Sequence, residues 1–126
     1  MSEKVTTIAE MLEKVLEDLR DVGDVEASAI VSRDGLLMAS DFAQRSYSAK
    51  TFAAMSATML GAAETATSEL KKGVPDRIIV ESKEGKLIAA GAGPKALLVV
   101  MSNPGAGLGL ILLEMEKTAD KIKRLL

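Results

Sequence analysis

From Thr51 to Ala63 the chain reads TFAAMSATMLGAA, without one charged residue in a protein of 126 residues that is 27% charged overall. A helix that is apolar all round cannot lie on a surface with one side in water; it has to be covered on more than one side. Ser48 is placed to cap such a helix, and Lys71-Lys72-Gly73 to end it, the cations suiting the carbonyl end and the glycine a left-handed cap. At 100° per residue Phe52, Met55, Met59, Ala62, Ala63, Ala66 and Leu70 form one stripe, expected to face the chain's own core. A second stripe of mostly small residues, Ala53, Ala57, Leu60, Gly61 and Glu64, lies about 140° round and is expected to receive another helix. Glu64, the one charge in that stripe, either stays wet at its rim or makes a specific contact across a dimer.

Much chemistry is excluded by composition. The chain has no Cys and no His, which removes thiolate metal sites, thiol nucleophiles and the commonest general base. Net charge is −2 with the cations scattered among acids, so nucleic acid is not an expected partner. Aromatics make up only 2%, too few for sugar or base stacking. No apolar run reaches the ~18 residues needed to span a bilayer, and MSEKVTTIAE lacks the basic-then-apolar order of a secretory signal. One cytoplasmic domain covering residues 1–126, without a metal or cofactor, is expected.

Thr7 and Glu10 have capping-box spacing and open a helix whose apolar face is Ile8, Met11, Leu12, Val15, Leu19 and Val22, with Glu10 and Lys14 as an i, i+4 pair. It ends at Gly23. Val25 to Ser32 alternates and turns at Asp34-Gly35 into Leu36 to Ser40, a β-hairpin. Asp41 to Tyr47 is a polar loop holding Phe42, Arg45 and Tyr47, residue types enriched where proteins dock. After Pro75 come three strands, Arg77 to Ser82, Lys86 to Gly91 and Ala96 to Ser102, joined by turns short enough to make them antiparallel. ALLVVM in the last is apolar throughout, which requires helices on both faces of the sheet. A closing helix turns Leu108, Ile111, Leu112, Met115, Ala119, Ile122 and Leu126 inward. The expected fold is α+β, a three-layer α/β/α sandwich on a five-stranded antiparallel sheet.

This order, with the turn Arg33-Asp34-Gly35, the helix TFAAMSATMLGAAETA and the closing GLGLILLEMEKTADKI, resembles the roadblock family of dynein light chains and prokaryotic GTPase partners. The resemblance covers nearly the whole chain and rests on diffuse patterns. It implies homodimers or heterodimers joined through the second helix and third strand, and work as adaptors or regulators of small Ras-like GTPases. By the same resemblance the third strand is a sheet edge. With Ile79 on a two-fold axis, Arg77 of one copy would face Glu81 of the other.

Other motifs fall short. Gly105-Ala106-Gly107-Leu108-Gly109 opens a helix, but Leu110 or Leu112 occupies the last glycine of the dinucleotide fingerprint, and Gly-Lys-Ser/Thr is absent. A close-packed loop entering a buried helix is the expectation there. No Ser lies in G-x-S-x-G. The leading expectation is a non-catalytic homodimeric adaptor for a small GTPase; the alternatives are a small-molecule-sensing domain and a structural subunit of a larger assembly. Ala27, Ala29, Ala89 and Ala90 bear on the choice, since alanines in a sheet leave room for a ligand or admit a close helix.

Overall fold

A computed structural model describes residues 7–42 and 48–126. The elements in order are α1 (Ile8–Arg20), β1 (Val25–Ser32), β2 (Leu37–Phe42), α2 (Ala49–Glu69), β3 (Arg77–Ser82), β4 (Gly85–Gly91), β5 (Ala96–Ser102) and α3 (Leu108–Leu125). The sheet runs β2-β1-β5-β4-β3 with every pair antiparallel, so the two hairpin units meet where β1 pairs with β5. β5 is therefore flanked on both edges, and helices cover both of its faces, which accounts for the unbroken apolar run.

On one face α1 and α3 enclose Leu12, Leu16, Ile30, Ile88, Leu98, Val100, Ile111 and Ile122. On the other α2 lies over Ala29, Val31, Ala89, Leu97 and Val99. β1 is buried on both faces, so its alternation separates two cores and not core from water. Thr7 caps α1 through Glu10 N–H at 3.1 Å, as the spacing predicts. Lys14 pairs instead with Asp18, at 3.2 Å.

The turn after β1 is a three-residue loop: Ser32 N–H donates to Leu36 O at 2.8 Å, with Gly35 at φ 89°. A Cβ on Gly35 would also sit 3.4 Å from Ala54 Cα, so the turn rests directly on α2. The end of α2 differs from expectation. Lys71 takes the left-handed position next to the Leu70 cap, at φ 57°, with Gly73 at φ 85° two residues on, while Lys72 N–H donates to Thr67 O at 2.8 Å. The reason lies in the hydrogen bond: closing the last turn from Lys72 to Thr67 forces the residue between cap and donor into the left-handed region, whatever its side chain.

Ser56 lies on the inward side of α2, 1% exposed, and its Oγ has no hydrogen-bond partner among the described residues. Ser56→Ala removes an unsatisfied hydroxyl and improves helix propensity, so it is expected to stabilise the protein by roughly 1 kcal/mol, read as a raised denaturation midpoint at unchanged slope.

Candidate functional site

The two stripes of α2 are largely reversed relative to the sequence expectation, although Phe52 of the first stripe does pack against the core. Ala53 and Leu60 are buried in the chain's own core and Ala57 packs against it, whereas Met55 is 63% and Leu70 is 71% exposed, and Ala62 and Ala66 are exposed as well. The cause is the partner surface. The sheet supplies the bulk under α2 through Val31, Leu97 and Val99, with Ala29 and Ala89 between them, so the helix has to present small side chains to come down onto it. Ala53 and Leu60, expected at a dimer interface, are thus taken up by the chain's own core, while Ala57 is half-buried. Gly61 remains exposed, with no heavy atom within 4 Å of the place a Cβ would occupy.

Glu64 is also occupied within the chain. Its Oε1 accepts from Arg33 Nη1 at 3.0 Å, and Arg33 Nη2 donates to Gly93 O at 2.9 Å. One guanidinium therefore ties the β1–β2 turn to α2 and to the β4–β5 turn, using its fork to hold two acceptors in different elements. Glu64 thus carries an ion pair within its own chain while its side chain stays 36% exposed.

What α2 leaves uncovered is an outward strip of Ala54, Met55, Thr58, Gly61, Ala62, Thr65 and Ala66. Val80, on the same side of the sheet as Ile78 and Leu87, is 42% exposed. Arg77, Ile79 and Glu81 lie on the opposite side of β3, all exposed. The two sheet edges differ. β2 carries a bulge, since Ile30 pairs with Ala39 and Val31 with Leu37, leaving Met38 unmatched, and Arg20 of α1 pairs with its Asp41 at 3.0 Å. β3 runs against β4 in unbroken register from Arg77 to Ser82, with no proline and no bulge to blunt its free edge.

Phe42 packs edge-on against Phe52, centroids 5.6 Å apart at 77°, and is half-buried against the α2 side of the core. This ring fastens the end of β2 to the start of α2. Arg45 and Tyr47 lie outside the described residues. The alanines read as possible ligand space divide: Ala29 and Ala89 are covered by α2, and Ala27 is buried, while Ala90 lines an open cavity of about 310 Å³ with Asp76, Arg77, Leu112 and Glu116. The glycine loop before α3 is not close-packed, as Gly105, Gly107 and Gly109 have open space where a Cβ would go. Gly107 caps the helix without a side-chain hydrogen bond. Among the described residues no helix is long and apolar enough to cross a membrane, and no group of acids is placed to hold a metal ion.

The sandwich thus leaves one side of its most apolar helix uncovered and ends, among the described residues, in the free edge of β3. The chain belongs to the Roadblock/LC7 family, whose domain model matches residues 11–102. An uncharacterised protein of Methanocaldococcus jannaschii is 34% identical over 113 residues, 90% of this chain and 97% of that protein. MglB of Myxococcus xanthus superposes with a TM-score of 0.87 at 17% identity, over 99% of this chain and 93% of that one. An MglB structure described as having a tetrameric arrangement superposes at 0.86 with 21% identity, over 97% and 92%. At these identities the two structures speak for the fold.

The reversal of stripes has a measurable consequence. Leu60→Ala is expected to lower stability by about 2–4 kcal/mol, as for a buried leucine in any core. Met55→Glu is expected to leave stability within about 0.5 kcal/mol, the range of an exposed substitution. Denaturant titration of the two variants checks the assignment, and equal losses would return Met55 to the core.

Proposed function

We propose that this chain is a non-catalytic regulator that works as a homodimer and docks onto a small Ras-like GTPase, altering its nucleotide cycle or its location. The observation that carries the reading is the uncovered apolar strip of α2 in a member of the Roadblock/LC7 family. Leaving Met55 and its neighbours in water is unfavourable, by roughly 25 cal/mol for each Å² of apolar surface, so an occupant is gained at low cost. Two protomers laying α2 against α2, with β3 against β3, would cover Met55, Gly61 and Val80 together. The GTPase then supplies the nucleotide chemistry, and the dimer supplies shape. Phe42, Arg45 and Tyr47 are the side chains we assign to contact with that partner, and a cytoplasmic setting follows from the partner.

A second reading, small-molecule sensing, is favoured by one feature, the cavity of about 310 Å³ beside Ala90 with Arg77, Asp76 and Glu116 at its mouth. Its size is at the low end for ligand sites, which run from about 300 to 1,000 Å³.

The test is reconstitution with a Ras-like GTPase from the same genome. GTP hydrolysis and nucleotide exchange by the GTPase are expected to change when this protein is added, and the effect is expected to weaken with Phe42→Ala, Arg45→Ala or Tyr47→Ala. The protein alone is expected to bind neither GTP nor ATP at micromolar concentration in calorimetry. Nucleotide binding that is lost in Gly107→Val would overturn the reading.

A further inference from the structure

Between α3 and β3 an apolar hollow meets charges that have no partner in the chain. α3 packs over β5 and β4, and beyond it the same side of β3 stays exposed at Arg77, Ile79 and Glu81. The open cavity of about 310 Å³ lies in the step between them. It exists because β4 turns small at that point: Ala90 and Gly91 follow the fully buried Ile88, and Arg77 stands opposite Ala90 in the ladder. On the helix wall Leu112, Met115, Glu116 and Ala119 recur at i, i+3, i+4 and i+7, so one face of α3 closes the other side. Methyl and thioether groups line the inside, and Asp76, Arg77 and Glu116 stand at the mouth. All three are exposed, and none enters an ion pair among the described residues.

These two parts define a ligand. The apolar wall takes a short alkyl chain. A planar guanidinium suits a carboxylate, which accepts two of its N–H groups at once. Two carboxylates suit an ammonium, which has three donors to share. A ligand with a carboxylate alone would meet both acids, and one with an ammonium alone would meet the arginine. A molecule with both charges on one carbon, and an alkyl chain beyond it, satisfies the whole mouth. In a peptide the two charges sit at opposite ends, so a free amino acid is the form that offers both together.

We infer that the cleft between α3 and β3 binds a free aliphatic α-amino acid, its carboxylate on Arg77, its ammonium between Asp76 and Glu116, and its side chain against Ala90, Leu112 and Met115. This rests on the small-molecule reading of the cavity given above and is independent of GTPase docking. Ile88, which lines the cleft, belongs to the core on the α3 side of the sheet, so an occupant leaves the uncovered strip of α2 free.

The experiment is an amide NMR titration of the whole protein with L-leucine and with the two molecules that keep its chain and one of its charges, isoamylamine and isocaproate. Leucine is expected to shift the amides of Ala90, Gly91 and Ala119 with a Kd on the order of 0.1 mM, and each single-charge analogue to bind about ten-fold more weakly. Arg77→Gln is expected to weaken leucine about ten-fold without weakening isoamylamine, and Glu116→Gln to weaken leucine and isoamylamine without weakening isocaproate. Ala90→Ile fills the hollow with a side chain suited to a strand and is expected to abolish binding of all three. Circular dichroism checks that the variants fold, and the two exposed positions carry the test if Ala90→Ile does not. An analogue that binds wild type as tightly as leucine, or leucine binding that Arg77→Gln leaves unchanged, overturns the amino-acid assignment and leaves the cavity a small-molecule site. No shift with any of the three up to about ten millimolar overturns the assignment and the small-molecule reading together, and leaves the GTPase regulator standing.

Discussion

The packing of α2 on the sheet is what the rest depends on: Ala53 and Leu60 on the helix share one buried cluster with Ala29, Val31, Ala89, Leu97 and Val99 on the strands, small side chains above meeting bulk below. That packing holds the β1–β2 turn against the helix at Ala54, with Gly35 at φ 89° making the turn, and Arg33 within reach of Glu64 and Gly93 at once. It also leaves Met55 outside. Larger residues at Ala53 or Ala57 would lift the helix, lengthen both bonds of the guanidinium and open the space that a ligand-sensing fold of this kind would need.

The order of elements was legible because each has a strong local cause: the cap at Thr7, the Gly35 turn, the short turns of the meander and the doubly apolar β5. The face of α3 was legible for the same reason, and that of α1 in its middle, though Leu16, fully buried, lay outside the expected stripe and Ile8, 54% exposed, lay inside it. α2 offered no such contrast. Its side toward the core could be found only by asking what the sheet beneath it supplied, and bulk in Val31, Leu97 and Val99 calls for smallness above. Volume is shared between two surfaces, and a helix read by itself shows half of it. The pairing of β1 with β5, which joins the halves of the sheet, likewise has no local signal, and the edge position of β3 rested on the family resemblance.

The Arg33 clasp shows a further limit. Arg33 and Glu64 stand far apart in sequence at an unremarkable turn and an unremarkable helix position, and nothing in their spacing joins them. The signal lay in the helix and not in the arginine: a lone acid on an otherwise uncharged, inward-leaning stripe asks for a cation from elsewhere in the fold. Of the chain's cations, one in a tight turn beside that stripe is among the few whose backbone is already held in place, so little side-chain freedom is lost in reaching across.

The unmatched Met38 in β2 has a consequence at the level of assembly. A sheet with two clean edges has a valence of two and can add copies without end, which is the route to fibres. Here the bulge spoils one edge and leaves one, so the valence is one. Whatever strand joins β3, if it comes from a chain built like this one, brings its own spoiled edge to the far side, and growth by strand addition terminates after a single step.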